Sequence, residues 1–224
     1  MAEVTLFAGP SAHGLEAAVL QEGGVSLRPP AARGDIAQLV AAERPGVVVL
    51  CDGVFQSQPA VSHAELCQAI DAGWRLWGVS SLGAIRAHEL RDEGMHGAGW
   101  VHGQFAQHDD FTDDELCLLH FPEPPWFPVS EALVNLRYAL QRAGPALGIG
   151  SASSARLITA LRGLWFGDRT PATMRELMAA DADIPPGSAD RLLCWLQRHR
   201  VKTLDLAHLM ARRPWKRPPP PSGR

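Results

Sequence analysis

The spacing of apolar positions changes once along the chain. In the first half, short unbroken apolar runs alternate with stretches that place apolar residues three and four apart. Val4–Ala8 is such a run, followed by Gly9-Pro10-Ser11 and by Leu15, Ala18, Val19 and Leu20, whose spacing predicts a helix capped by Ser11. Pro29-Pro30 forces extended chain, after which Asp35 caps a helix carrying Ile36, Leu39, Val40 and Ala42. Val47–Cys51 is a continuous apolar run of the kind found in a central parallel strand. Helix Ser62–Ala72 buries Leu66, Ala69 and Ile70. Leu76-Trp77-Gly78-Val79 then leads through Ser80-Ser81 into a helix with Leu82, Ile85 and Leu90 on one face. Strands alternating with helices in this way predict an α/β fold, a parallel-sheet core with flanking helices.

The second half reads differently. Thr112-Asp113-Asp114-Glu115 has the form of a capping box. Phe121–Pro128 holds four prolines and reads as a linker. Beyond it only helical spacing remains, over Ser130–Ala143, Ala152–Arg162, a segment opened by Thr170-Pro171, and another opened by Ser188. The expected organisation is therefore an α/β core over residues 1–121, an all-helical region over 122–211, and a Pro- and Arg-rich disordered tail over 212–224.

Composition narrows the class. With 224 residues, 46% hydrophobic and 20% charged, the chain can bury one good core with an appendage. A net charge of −3 gives no reason to expect nucleic acid as a partner. No apolar run is long enough to span a membrane, and MAEVTLFAGPS lacks the basic start and apolar core of a signal peptide, so the cytoplasm is the expected location. Cys51, Cys67, Cys117 and Cys194 are widely spaced without a CxxC pair, which suggests buried reduced thiols rather than disulfides or zinc.

Candidate chemistry concentrates at strand ends. Gly73–Glu89 reads as strand, tight turn and helix, with Ser80 and Ser81 at the corner. A side chain there lies near free N–H groups and the positive end of a helix dipole, a geometry shared by nucleophilic serines and anion-binding loops. Asp52 follows the buried run Val47–Cys51, where open α/β sheets place their sites, although an Asp before Gly53 also suits a plain turn. His63 lies at a helix start, a position that favours a neutral, basic imidazole. Gly94–Gly99 lacks the Lys-Ser or Lys-Thr of a P-loop. His96, His102 and His108 match no metal-ligand spacing, and neither a metal nor a cofactor is expected.

Several segments, in order, carry a resemblance. They are Phe7–Ser11 (FAGPS), Pro29–Asp35 (PPAARGD), Asp52–Phe55 (DGVF), Ala60–Leu66 (AVSHAEL), Gly78–Leu90 (GVSSLGAIRAHEL), Gly94–Gly99 (GMHGAG) and Thr112–Leu116 (TDDEL). Over about residues 4–120 the chain resembles the TfuA proteins. The resemblance implies a role in peptide backbone thioamidation beside a YcaO enzyme, with sulfide released from the thiocarboxylate of a ThiS-like sulfur-carrier protein. It also implies a hydrolase-like serine–lysine site, in which Ser81 matches the family's serine. The family's HKE reads His63-Ala64-Glu65 here, so a lysine is replaced by Ala64, and the chain's lysines are Lys202 and Lys216. On this reading Ser81 is the nucleophile, His63 a substitute base, and N–H groups near Gly83 hold the oxyanion. Ser11, Asp52, Glu65, Gly83 and Arg86 would bind or orient the carrier tail. A non-catalytic scaffold for a YcaO enzyme is the alternative, favoured by the missing lysine.

Overall fold

The computed structural model describes residues 3–54, 58–108 and 111–216. The chain divides into two compact units, 1–109 with 205–224, and 110–204.

The first unit is built on five parallel strands. In chain order it contains β1 (Val4–Phe7), α1 (Ala17–Gln21), β2 (Val25–Arg28), α2 (Asp35–Ala42), β3 (Val47–Leu50), α3 (His63–Asp71), β4 (Arg75–Val79), α4 (Leu82–Glu89), β5 (His96–Ala98) and α5 (Gly99–Gln107). The sheet order is β2-β1-β3-β4-β5, and every neighbouring pair is parallel. β1 and β3 lie side by side while the chain winds outward from them in opposite directions. That reversal opens a crevice at their carboxyl ends, the usual ligand position in open α/β sheets.

The apolar runs are central because they are buried on both faces. All four residues of β1 and all four of β3 are buried. One face carries Val4, Leu6, Val47 and Val49, which share a core with Leu20 of α1. Leu206, Leu209 and Met210 close the same core. They belong to α10 (Val201–Arg212), whose residues from Asp205 onward are part of this unit. On that side Trp215 is also buried, within a 3-10 turn over Pro214–Lys216. Ordered chain thus runs past Arg212, where a disordered tail was expected; residues 217–224 lie outside the described residues.

Two strands were not legible in the apolar pattern. β2 has only one fully buried position and forms a sheet edge, so its residues lack a continuous run. β5 consists of His96-Gly97-Ala98, within the glycine-punctuated stretch Gly94–Gly99 that lacks a continuous apolar run. It pairs with β4 through Trp77↔His96, Gly78↔Gly97 and Val79↔Ala98.

The second unit is helical. It contains α6 (Leu133–Ala143), α7 (Ser151–Arg162), α8 (Pro171–Ala180) and α9 (Ser188–Arg198), together with the start of α10. Leu133, Leu136 and Leu140 of α6 meet Leu157, Ile158 and Leu161 of α7, Met174 and Met178 of α8, and Leu192, Leu193 and Leu196 of α9. Thr170 caps α8 as its sequence suggests, its hydroxyl accepting from the Thr173 N–H. The Thr112 capping box does not form: Asp113–Leu116 is a 3-10 turn without a side-chain cap. Glu115 turns inward instead, where Arg137 and Arg162 both donate to its carboxylate at 2.7–2.8 Å. Two guanidinium groups offer a buried carboxylate more than a single backbone N–H would.

Candidate functional site

The carboxyl edge of the sheet gathers the candidates from separate elements. At the end of β1 the chain turns through a 3-10 segment, Pro10–Ala12. Gly9 N–H and Ser11 N–H donate to Asp52 Oδ2 at 2.8 and 2.9 Å, and Ser11 Oγ donates to Asp52 Oδ1 at 2.7 Å. Asp52 is 3% exposed and Ser11 2%. The aspartate after β3 therefore fills the β1 loop as a bound anion would. Ser11 does not cap α1, which starts later with Glu16 in the N-cap position.

β4 supplies the serine corner. The last paired residues of β3 and β4 are Leu50 and Gly78, so Asp52 and Ser80 stand at matching positions one strand apart. Ser80 adopts φ +64°, and Ser81 N–H donates back to the Val79 carbonyl at 2.7 Å. This is a γ-turn with positive φ at its centre, a strained conformation for a residue other than glycine. The turn delivers Ser81 to the N-cap of α4, where its side chain caps nothing.

Glycine permits the sharp descent into α4. A Cβ on Gly83 would run into the Leu50 carbonyl, and one on Gly78 would meet the Gly83 carbonyl. With both side chains absent, the first turn of α4 lies on β3 and β4, and Gly83 N–H donates to the Cys51 carbonyl at 3.2 Å. That bond engages the Gly83 N–H, which the family resemblance suggests as an oxyanion donor. Leu82 N–H, directly after Ser81, has no backbone acceptor among the described residues. It is the donor at this corner, and the sequence reading did not single it out.

The remaining expected site residues have internal partners. Glu65 forms a capping box with Ser62: its Oε1 accepts from Ser62 N–H at 2.6 Å, and Ser62 Oγ accepts from Glu65 N–H. Its Oε2 accepts from Gly34 N–H at 2.9 Å, joining the starts of α2 and α3. Arg86 donates through Nε to the Val61 carbonyl and through Nη1 to Glu89. His63 is half exposed and pairs through Nε2 with Glu89 Oε2 at 2.8 Å. Burial opposes ionisation of Glu89, but its bonds to His63 and Arg86 prevail and lower its pKa.

His63 engages the opposite end of α4 from the one that Ser81 opens. Glu89 closes α4 and Ser81 precedes its first residue. The helix rise between them is about 12 Å. His63 Nε2 is thus paired at the carboxyl end of α4, while Ser81 stands before its first residue. Ala64 is exposed on the first turn of α3. Lys216 is exposed and adjoins Trp215, whose carbonyl accepts from Arg75 at the amino end of β4, opposite the serines. Lys202 belongs to the second unit, where it is 3% exposed and donates from Nζ to the Leu116 carbonyl at 2.9 Å. Phe55 of the DGVF segment lies outside the described residues.

Two further expectations are revised. Cys51 and Cys117 are buried, but Cys194 is exposed and Cys67 intermediate. Asp35 is the first residue of α2 rather than its cap; Gly34 takes that position, and Asp35 Oδ2 accepts from Ala32 N–H. Among the described residues no group of three or more His, Cys, Asp and Glu could hold a metal ion. No described helix is long and apolar enough to cross a membrane.

The first unit is thus a doubly wound α/β domain with an acid–serine loop at its switch point and a serine corner one strand further on. The family model for TfuA-like proteins matches residues 52–170, just over half of the sequence, and the chain belongs to that family. The match begins at Asp52, so FAGPS and PPAARGD precede it, and it runs through α6 and α7. No curated protein matches the chain.

Proposed function

We propose that this protein is an accessory factor of peptide backbone thioamidation, acting beside a YcaO enzyme and hydrolysing the thiocarboxylate of a ThiS-like sulfur carrier. Family membership supports the pathway. The observation that carries the chemistry is the pairing of Ser81, free of any capping bond, with the Leu82 N–H that follows it. An N–H directly after a nucleophile at a strand-to-helix turn is a standard oxyanion donor.

The step balances without a lysine. Ser81 Oγ bonds to the thiocarboxylate carbon, and the C–S bond breaks. The serine proton leaves with sulfur as hydrosulfide, so the substrate's own sulfur can accept it. Water then cleaves the resulting ester, releasing the carrier carboxylate and restoring Ser81. The positive end of α4 favours the anionic substrate.

Mixing the protein with thiocarboxylated carrier and following sulfide tests this reading. Release well above background that Ser81→Ala lowers at least tenfold is the expected result. Absence of release, or equal release by the variant, overturns it. The second reading, a non-catalytic scaffold for the YcaO enzyme, is favoured by the engagement of His63 with Glu89 and by the lack of lysine between residues 52 and 170. It predicts co-purification with the YcaO enzyme and no sulfide release.

A further inference from the structure

His102 of α5 turns a ring nitrogen toward the backbone of the edge strand. Its Nε2 is buried and has no hydrogen-bond partner. The ring lies against Gly97 in the middle of β5, where a Cβ would run into it. β5 has three residues and one neighbouring strand, β4, and α5 packs on both. His102 as a whole is only partly buried, so rotation of its side chain can carry Nε2 to water. His88 of α4 stands edge-on to it, with ring centroids 6.4 Å apart, and stacks on Phe105 at 5.6 Å. Arg91, just after α4, donates to the His88 carbonyl. The other charged groups on the elements around α5 are engaged elsewhere. Arg86 and Glu89 pair with each other and with Val61 and His63. His96 lies against Trp77, Arg75 donates to the Trp215 carbonyl, and Asp205 takes the N–H groups of Trp100 and Val101. His108 follows α5 at its far end.

A protonated imidazole carries an N–H on both nitrogens. On His102 that would place a charged donor against Gly97 with no acceptor, in the first turns of α5, where the helix dipole is also unfavourable. We propose that His102 is an acid-released latch: neutral, it holds α5 on β5; protonated, it swings off Gly97 into water and loosens both elements. Burial, and then His88, lower its pKa from the ordinary value of 6.5. The folded state therefore binds this proton less readily than the unfolded chain. The contact contributes in full above about pH 6.5 and is lost as pH falls through the folded value. Asp205, at the start of the same helix, has the opposite sign: burial raises its pKa to about 6, so acid favours its folded form. Loosening of α5 by acid therefore cannot come from Asp205. Ala98 of β5 pairs with Val79, the residue before Ser80, so the latch sits one strand from the serine corner.

Hydrogen exchange on the full chain, followed by mass spectrometry and corrected for the intrinsic effect of pH, tests the latch. Peptides covering β5 and α5 should exchange at least tenfold faster at pH 5.5 than at pH 7.5. His102→Phe keeps a ring over Gly97 but cannot titrate, and should abolish most of that difference. Gly97→Ala displaces the ring at any pH and should show the fast exchange already at pH 7.5. A ring-proton titration of His102 by NMR, assigned by its absence from His102→Phe, should have its midpoint below 6.5; this measurement needs only the unaltered protein in its folded state. Equal protection at the two pH values, the same acid response in His102→Phe, full protection of Gly97→Ala at pH 7.5, or a His102 midpoint at or above 6.5 overturns the proposal.

Discussion

Ser11 Oγ donates to Asp52 Oδ1 at 2.7 Å, and the same carboxylate accepts the N–H groups of Gly9 and Ser11 through its other oxygen. One side chain from the end of β3 therefore holds the whole turn after β1. Asp52→Ala leaves three buried donors without their acceptor. It should destabilise the protein by about 3 kcal/mol or more, since each lost buried partner costs about 1–3 kcal/mol. Ser11→Ala removes one donor and should cost about 1 kcal/mol. Urea denaturation measures both; equal losses would show that the carboxylate is not what organises the loop.

Gly83 tests the close packing beneath the serine corner. Its missing side chain lets α4 approach the Leu50 carbonyl. Gly83→Ala has to push the helix away from β3 and lengthen the bond to the Cys51 carbonyl. Overpacking of this kind costs about 1–3 kcal/mol, and rigid backbone on both sides favours the upper end. Denaturation curves give the loss. An unchanged midpoint would contradict the described contact.

Much of this architecture could be read in the sequence, and the exceptions have physical causes. Val47–Leu50 is apolar throughout because both faces are covered, so its pattern declares it a central strand. β2 and β5 sit at sheet edges with mixed exposure, and local pattern is weak there. Two segments have the form of a capping box, Ser62-His63-Ala64-Glu65 and Thr112-Asp113-Asp114-Glu115. The first forms one; the second does not, because Arg137 and Arg162 claim Glu115 from distant helices. Local rules hold until a stronger long-range partner competes. At the serine corner the turn was legible from Ser80-Ser81 and the glycines. The positive φ of Ser80 was not, since serine gives no sign of it. Nor could sequence show that Gly83 N–H is occupied while Leu82 N–H is open, because that depends on where the Cys51 carbonyl points.

The cysteines should separate by reactivity. Burial pushes the Cys117 thiol up to about 11; Asp114 and Asp113 act in the same direction, while Lys202 and Arg169 oppose it. At pH 8 this group is almost entirely protonated and is a poor nucleophile. Cys194 is exposed. Titration of the native protein with an aromatic disulfide should give a fast phase that Cys194→Ser removes. Cys117 should react only on unfolding. Rapid native modification of Cys117 would contradict its burial.

Asp205 gives the fold a pH dependence of unusual sign. Its carboxylate accepts the N–H groups of Trp100 and Val101, capping α5 from α10. Gly99, at φ +94°, leaves the space that this carboxylate occupies. Burial raises the pKa of Asp205 to about 6, outweighing the two N–H donors and nearby His208. The folded state thus holds its proton more tightly than the unfolded state, whose value lies near 3.8. Stability from this group should be greatest below about pH 4 and fall as pH rises through 6, by about 3 kcal/mol in all. Asp205→Asn should flatten that slope between pH 4 and 7 in parallel melts. Identical slopes would show that Asp205 does not titrate in this range.

Leu82→Pro tests the oxyanion donor without altering the serine. Leu82 is the first residue of α4, a position where proline is favoured because its N–H has no helical acceptor. The substitution deletes the one N–H that the hydrolase reading requires and keeps Ser81 Oγ. Loss of a single oxyanion donor lowers turnover by about 10²–10³-fold. Sulfide release from thiocarboxylated carrier should fall by that factor, with circular dichroism reporting an intact fold. Because the Leu82 side chain is buried, Leu82→Ala serves as the control: it loses the same packing but retains the N–H. A proline variant no slower than the alanine control would remove Leu82 N–H from the mechanism and leave the dipole of α4 as the only source of charge stabilisation at Ser81.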